Sequence, residues 1–151
     1  DFTQRSRSFL FAALAAAVAL SLNRNRIRFY ENGVISLNIP LSPQALGGRA
    51  TRTTHPRVLN GFEEIFSLAF DKPFAVDNPY LWKTKADILR EIKAIGLAKL
   101  CARTSSCTHT KEQTHMHTHC GYCSQCVDRR LNALAAGFTN EEDPAEMYSS
   151  D

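Results

Sequence analysis

Apolar residues recur along the chain in several distinct patterns, and each predicts an element. The first is Leu10–Leu22, almost uninterrupted and rich in Ala. Ala favours helix, and a helix apolar on nearly all sides belongs in a buried layer. Arg5-Ser-Arg7-Ser ahead of it, with small residues behind, also mimics a secretory signal. A membrane anchor is a third reading, but the run falls short of the roughly 18 apolar residues a span needs. The buried helix is the reading adopted.

Ile27–Tyr30 and Val34–Ile39 are β-prone, with Asn32-Gly33 between them. Asn-Gly between two such runs signals a hairpin. Equally, a strand that follows a helix in an α/β sheet often ends in a polar loop at its carboxyl edge, where ligands bind. Both readings stay open. Val58, Leu59, Phe62, Ile65, Phe66 and Ala69 share helical spacing and predict a helix over Val58–Phe70 with a core-facing stripe. Phe74–Tyr80 reads as a strand stopped at Asn78-Pro79. A helix then follows Thr84 through Ile95, with Thr84 and Asp87 as a capping box and Gly96 as its stop. A last helix is expected over Arg129–Phe138, and the acidic Glu141–Glu146 reads as a solvated terminus. Helices and strands alternate, so the fold class is α/β, with a parallel sheet and helices on both faces.

Composition narrows this only a little. The chain has 151 residues, 44% of them hydrophobic, which suits a globular core. A net charge of +3 is too mild to argue for nucleic acid. The chain begins at Asp1 rather than Met, so a fragment or a processed chain is expected. The organisation read is residues 1–103 as an α/β portion, 104–138 as a metal segment with the final helix, and 139–151 as an acidic tail.

The five cysteines change the picture most. Cys120, Cys123 and Cys126 repeat as C-x-x-C-x-x-C, and Cys107 precedes them across a 12-residue loop. C-x-x-C spacing lets the chain turn back and bring two sulfurs to one point. Four thiolates make a closed structural site, for which zinc is the expected ion. A four-iron cluster also takes four thiolates, but the ferredoxin run has a fourth Cys and a Pro where Val127–Arg130 stand here. His109, His115, His117 and His119 crowd the loop, and His119 is an alternative ligand. With four sulfurs already present, these histidines read mainly as loop surface. Gly121 suits a tight turn whose N–H groups point at sulfur. Arg129 and Arg130 either offset the thiolate charge or anchor the last helix. Cys101 reads as a small buried side chain. A clustered, odd set of thiols fits a reduced, cytoplasmic compartment.

Two stretches could bind anions. Gly47–Pro56 offers Arg49, Arg52 and His55 as substrate or phosphate contacts beside a plain solvated-loop reading. Lys83 and Lys85 flank a helix N-terminus, a ready anion site. From pattern alone, solvated lysines on an ordinary capped helix are the plainer reading.

Cys107, Cys120-Gly-x-Cys123-x-x-Cys126 and Arg129 together resemble the zinc motif of the 7-cyano-7-deazaguanine synthase family, within the PP-loop ATP pyrophosphatases. Pro79–Ile88, with its Thr84-Lys85 pair, looks like the family segment near the nucleotide phosphates, and Arg5–Phe9 like its arginine-bearing segment. The resemblance implies a doubly wound parallel sheet of adenine-nucleotide alpha-hydrolase type. It implies ATP with Mg2+, and a reaction in which a 7-deazapurine carboxylate is adenylated and ammonia then displaces AMP, leading through an amide to a nitrile. Arg5, Lys83 and Lys85 would then face nucleotide phosphates. The family's Ser-Gly-Gly-x-Asp-Ser phosphate loop does not occur here, so a C-terminal portion of a longer protein is expected. Glu31–Gly33 and Arg49–Pro56 look more like the synthase-like component of Qat anti-phage defence systems, which adds protein partners from such a system. No membrane partner is expected, and a homodimer is left open. Two rivals remain: a zinc-stabilised interaction module without catalysis, and a PP-loop tRNA thiolation enzyme with an iron–sulfur cluster.

Overall fold

The computed structural model describes residues 2–37 and 53–150, without the side chains of residues 2–5 and Glu112. The chain divides into two compact units, Asp1–Thr84 and Lys85–Asp151. It is α/β, with one small parallel sheet among the described residues. None of their helices is long and apolar enough to cross a membrane.

The first unit holds helix α1 (Phe2–Ser21), strand β1 (Arg26–Arg28), helix α2 (Gly33–Leu37), helix α3 (Pro56–Phe70) and strand β2 (Ala75–Asp77). Strands β1 and β2 pair in parallel, Ile27 opposite Val76, and both of these side chains are buried. Helix α1 begins eight residues before the apolar run, so Arg5 and Arg7 are helical. It does not bury all its sides, as expected, but one. Ala12, Ala16 and Ala19 recur one helical turn apart and are at most 8% exposed, whereas Leu10, Phe11, Leu14 and Val18 lie more than half exposed. Small side chains let the helix backbone approach its neighbours, and the large ones point away.

Helix α3 starts on His55, whose Nδ1 accepts the Arg57 N–H, with Pro56 in the first turn. It stops where Asp71 turns left-handed. Of the expected stripe, Leu59, Phe62 and Phe66 are buried and Val58 packs beside them, but Ile65 and Ala69 are exposed. Phe66 and Phe70 stack at 5.9 Å, and both meet Phe74 edge-on. The Glu63 carboxylate accepts the Val76 N–H.

The hairpin reading fails. Over the described residues, Val34–Leu37 is helical, not extended. Asn32 is the reason: its side chain accepts the Ile35 N–H and its carbonyl accepts the Ser36 N–H, which caps a helix. Gly33 serves a close approach, since a Cβ there would meet the Leu81 carbonyl at 2.0 Å. The other reading fits, because β1 ends in a polar loop. That loop is tied by buried hydroxyls. The Thr54 hydroxyl donates to Glu31 at 2.6 Å and lies 3.0 Å from the Ser36 hydroxyl, which also accepts from Asn78.

The second unit holds helix α4 (Lys85–Ala94), a 3-10 turn over Ala98–Arg103, helix α5 (Ser124–Ala135) and a 3-10 turn over Ala145–Met147. Gly96 closes α4 at φ +76°, as its place after Ile95 predicts. Helix α5 starts five residues before the expected Arg129, directly after Cys123. The last stretch also departs from expectation. Tyr148 is buried, Asp143 is half-buried with its side chain 9% exposed, and Glu142 accepts from the Lys93 ammonium at 2.8 Å.

Candidate metal centre

The sulfurs of Cys107, Cys120, Cys123 and Cys126 converge within 4.8 Å of one another, and all four residues are buried. Local chain geometry explains the convergence. Gly121 sits at φ +86°, which makes the tight turn between Cys120 and Cys123. Cys123 then caps α5, and Cys126 lies one turn into it, so both sulfurs face the same side. Cys107 arrives from the opposite strand of the loop, its sulfur 4.0 Å from that of Cys123. Cys120 and Cys126 sulfurs are 3.9 Å apart, and Cys123 and Cys126 sulfurs 3.4 Å.

These spacings suit one shared ion. Four sulfurs about 2.3 Å from a single centre stand about 3.8 Å apart along the tetrahedron edges. Four irons of a cluster would each take one sulfur and spread them. The donor set therefore fits a single soft or borderline divalent ion with no position left for water.

The surroundings prepare the sulfurs. The Cys123 N–H donates to the Cys120 sulfur at 3.4 Å. Hydrogen bonding from the Thr108 backbone, opposed by burial, draws the Cys123 thiol down to about 5. Burial pushes Cys126 up to about 12, against a backbone hydrogen bond from Gly121. A thiol that is costly to ionise alone becomes a ligand when a cation supplies the missing charge.

Arg129 is the second organiser. It is only 7% exposed. Its Nε donates to Asp143 at 3.0 Å and to the Tyr148 hydroxyl at 3.1 Å. Its other nitrogens donate to the Thr104 carbonyl, the Thr104 hydroxyl and the Cys101 carbonyl, between 2.7 and 3.0 Å. Of the two readings of Arg129, the anchor is the one the contacts describe. Arg130 lies over the Tyr148 ring at 4.6 Å.

His119 is neither a ligand of the four-sulfur cluster nor loop surface. It is 1% exposed, its Nε2 accepts the Ser106 N–H, and its Nδ1 donates to the Thr118 hydroxyl. Burial and the nearby Arg129 lower its pKa and favour the neutral ring. His109 and His117 are half-buried, and His115 is exposed. Cys101 is half-buried, with its thiol pushed up by burial. It lines a cavity of about 120 Å³ with Lys85, Leu89, Thr104, Arg129 and Phe138.

The anion-binding candidates are less convergent. Arg49 and Arg52 lie outside the described residues, and so does the side chain of Arg5. The described ones are engaged locally. His55 caps α3. The Lys83 ammonium sits 5.0 Å over the Tyr80 ring, and Lys85 pairs with Asp128 at 2.5 Å. Asp143, Tyr148 and Thr104, which complete the Arg129 network, escaped the sequence reading. They lie in segments without periodicity, and only a lone Tyr in an acidic stretch hinted at them.

A family model described as "Queuosine biosynthesis protein QueC" matches residues 53–137, more than half of the chain. The chain belongs to the QueC family. The match takes in α3, Lys83, Lys85 and all four cysteines, so it spans the metal centre described above. No curated protein matches the chain. QueC membership suggests a synthase-type function on a 7-deazaguanine.

Proposed function

We propose that this chain is the metal-bearing part of an ATP-dependent synthase of the QueC type. The observation that carries the reading is the family match, which brackets the whole four-sulfur centre. On this reading a 7-deazapurine carboxylate attacks ATP, pyrophosphate leaves, and ammonia displaces AMP to give the amide; activation of the amide oxygen by a second ATP then lets that oxygen leave on AMP as the nitrile forms. Residues 1–103 belong to the nucleotide-binding portion, a part of a doubly wound PP-loop sheet. Residues 104–138, with the tail packed on them, carry the metal.

Within that assignment Arg5, Lys83 and Lys85 serve the nucleotide phosphates, with Mg2+, and Arg49, Arg52 and His55 the substrate. Cationic groups there stabilise charge as the phosphoryl group transfers. Lys85 must exchange Asp128 for phosphate to do so. The metal is zinc, held by Cys107, Cys120, Cys123 and Cys126, and its role is structural because a closed tetrahedral site leaves no place for a reacting water. Sulfur spacing supports one ion over a cluster, and elemental analysis giving one zinc and no iron checks it. Reduced thiols favour the cytoplasm. A role in a Qat-type defence system, with protein partners from it, belongs to the same proposal. It is supported by the resemblance of Glu31–Gly33 and Arg49–Pro56.

The test is AMP release by the full-length gene product given ATP, ammonium and a 7-deazaguanine carboxylate. AMP formation that depends on the acid supports the reading, and none with any such acid overturns it. One observation favours a second reading, a zinc-stabilised interaction module: Lys85 is already paired within the chain. Lys85→Ala separates the two: the synthase loses AMP formation and its function with it, whereas the module keeps partner capture in a pull-down and its function intact.

A further inference from the structure

The segment Asp143–Ser150 lies directly over the cysteine turn, and its tethers come from three kinds of group. Along the backbone, His119 N–H donates to the Met147 carbonyl at 3.0 Å and Ser149 N–H to the His119 carbonyl at 2.9 Å, which makes a parallel bridge between His119 and Tyr148. From side chains, His117 Nδ1 donates to the Glu146 carbonyl at 3.1 Å, and the Ser149 hydroxyl to the Cys120 carbonyl at 3.1 Å. The Tyr148 ring lies between the His119 ring at 5.1 Å and the Arg130 guanidinium at 4.6 Å. Its hydroxyl accepts from Arg129 and donates to Asp143 at 3.0 Å. The fit leaves no slack at the turn itself, because a Cβ on Gly121 would meet the Ser150 carbonyl at 1.9 Å.

We propose that this segment is a strap that governs metal exchange, with Tyr148 and Asp143 as the positioning residues that hold it down through Arg129. The proposal rests on the reading that the four thiols hold an ion. The cysteines are at most 8% exposed, so an incoming chelator needs an opening. Tyr148 and Met147 pack on the cysteine cluster and form part of its cover. The turn and α5 carry ligands, and neither can lift without breaking a metal–sulfur bond. The strap carries none. It is a short segment without regular pairing beyond one bridge, held by a few hydrogen bonds, the kind of element that opens locally at least cost. Its opening exposes the ion while all four sulfurs stay bound.

The experiment uses the full chain loaded with Co2+, whose thiolate absorption reports the site, mixed with increasing EDTA. The strap limits release, so the rate levels off at high EDTA. Tyr148→Phe keeps the ring but deletes the hydroxyl that joins Arg129 to Asp143. Its plateau rises about tenfold or more, in line with a lost hydrogen bond to a charged group, while the cobalt spectrum before mixing is unchanged. A rate that climbs in proportion to EDTA without a plateau, or an unchanged plateau in Tyr148→Phe, overturns the strap. If Tyr148→Phe loses the cobalt band, Ser149→Ala takes its place: a raised plateau supports the strap and an unchanged one overturns it. Absence of the cobalt–thiolate band in the unmutated chain overturns the metal reading itself, and the strap with it.

Discussion

The two units reach a folded state by different chemistry. Asp1–Thr84 is organised by apolar packing: Phe62, Phe66 and Phe74 pack against Ala12, Ala16, Ile27 and Val76. Its secondary structure follows from periodicity and propensity. Lys85–Asp151 has a buried cluster made of Cys107, Cys120, Cys123, Cys126 and Tyr148, beside a buried Arg129 paired with the half-buried Asp143. There the interior consists of groups that are expensive to bury unless each finds its partner. The first unit's core depends on apolar burial. The second is conditional on a cation, on reduced sulfur and on a complete polar network.

The largest test of this contrast is metal removal. Structural zinc contributes on the order of 10 kcal/mol to small sites, so a strong chelator or Cys126→Ser should open the second unit. Hydrogen exchange should speed up across residues 104–150 and stay unchanged in α3 and β2. Equal acceleration in both units would break the comparison. Next comes Arg129→Ala. It leaves Asp143 with the Tyr148 hydroxyl but no cation, and removing one partner of a largely buried ion pair costs up to about 3–5 kcal/mol. Urea unfolding followed in the metal-loaded protein measures it. Leu59→Ala is the counterpart in the first unit, with about 3 kcal/mol lost to the cavity. The metal-loaded cobalt spectrum should not respond to it.

The smallest effect depends on pH. The Lys93 ammonium, with the Thr139 N–H, holds the Glu142 carboxyl below its ordinary range. A depressed carboxyl stabilises the fold fully above its unfolded pKa, and that contribution fades as pH falls through the folded value. Glu142→Gln should therefore weaken the second unit near neutral pH. The difference from the unmutated chain should shrink only below the usual carboxylate range. Paired thermal melts across pH 3 to 7 read the trend, and a difference that persists in acid rejects it.

The same contrast decides what the sequence reveals. Helix α3 and strand β2 are legible because Leu59, Phe62 and Phe66 announce a period and Asn78-Pro79 announces a stop. The convergence of four cysteines is legible because spacing along the chain limits where sulfurs can go. The rest depends on partners distant in sequence. Asn32 turns a β-prone run into α2 by capping it, a local hydrogen bond that outweighs the propensity of Val34 and Ile35. Arg129 meets Thr104, Asp143 and Tyr148 across separations that no pattern encodes. Glu141–Glu146 look solvated because their charges are visible and their contacts are not. Of the anion-binding candidates, composition offered cationic residue types, and Lys85 has a carboxylate, that of Asp128, beside it.

One small contact guards an edge of the sheet. Along β2, the Ala75 N–H faces β1 and the next N–H, that of Val76, faces the other way onto the Glu63 carboxylate. At that point the β2 edge is guarded, since a strand pairing there would have to displace Glu63 from the Val76 N–H.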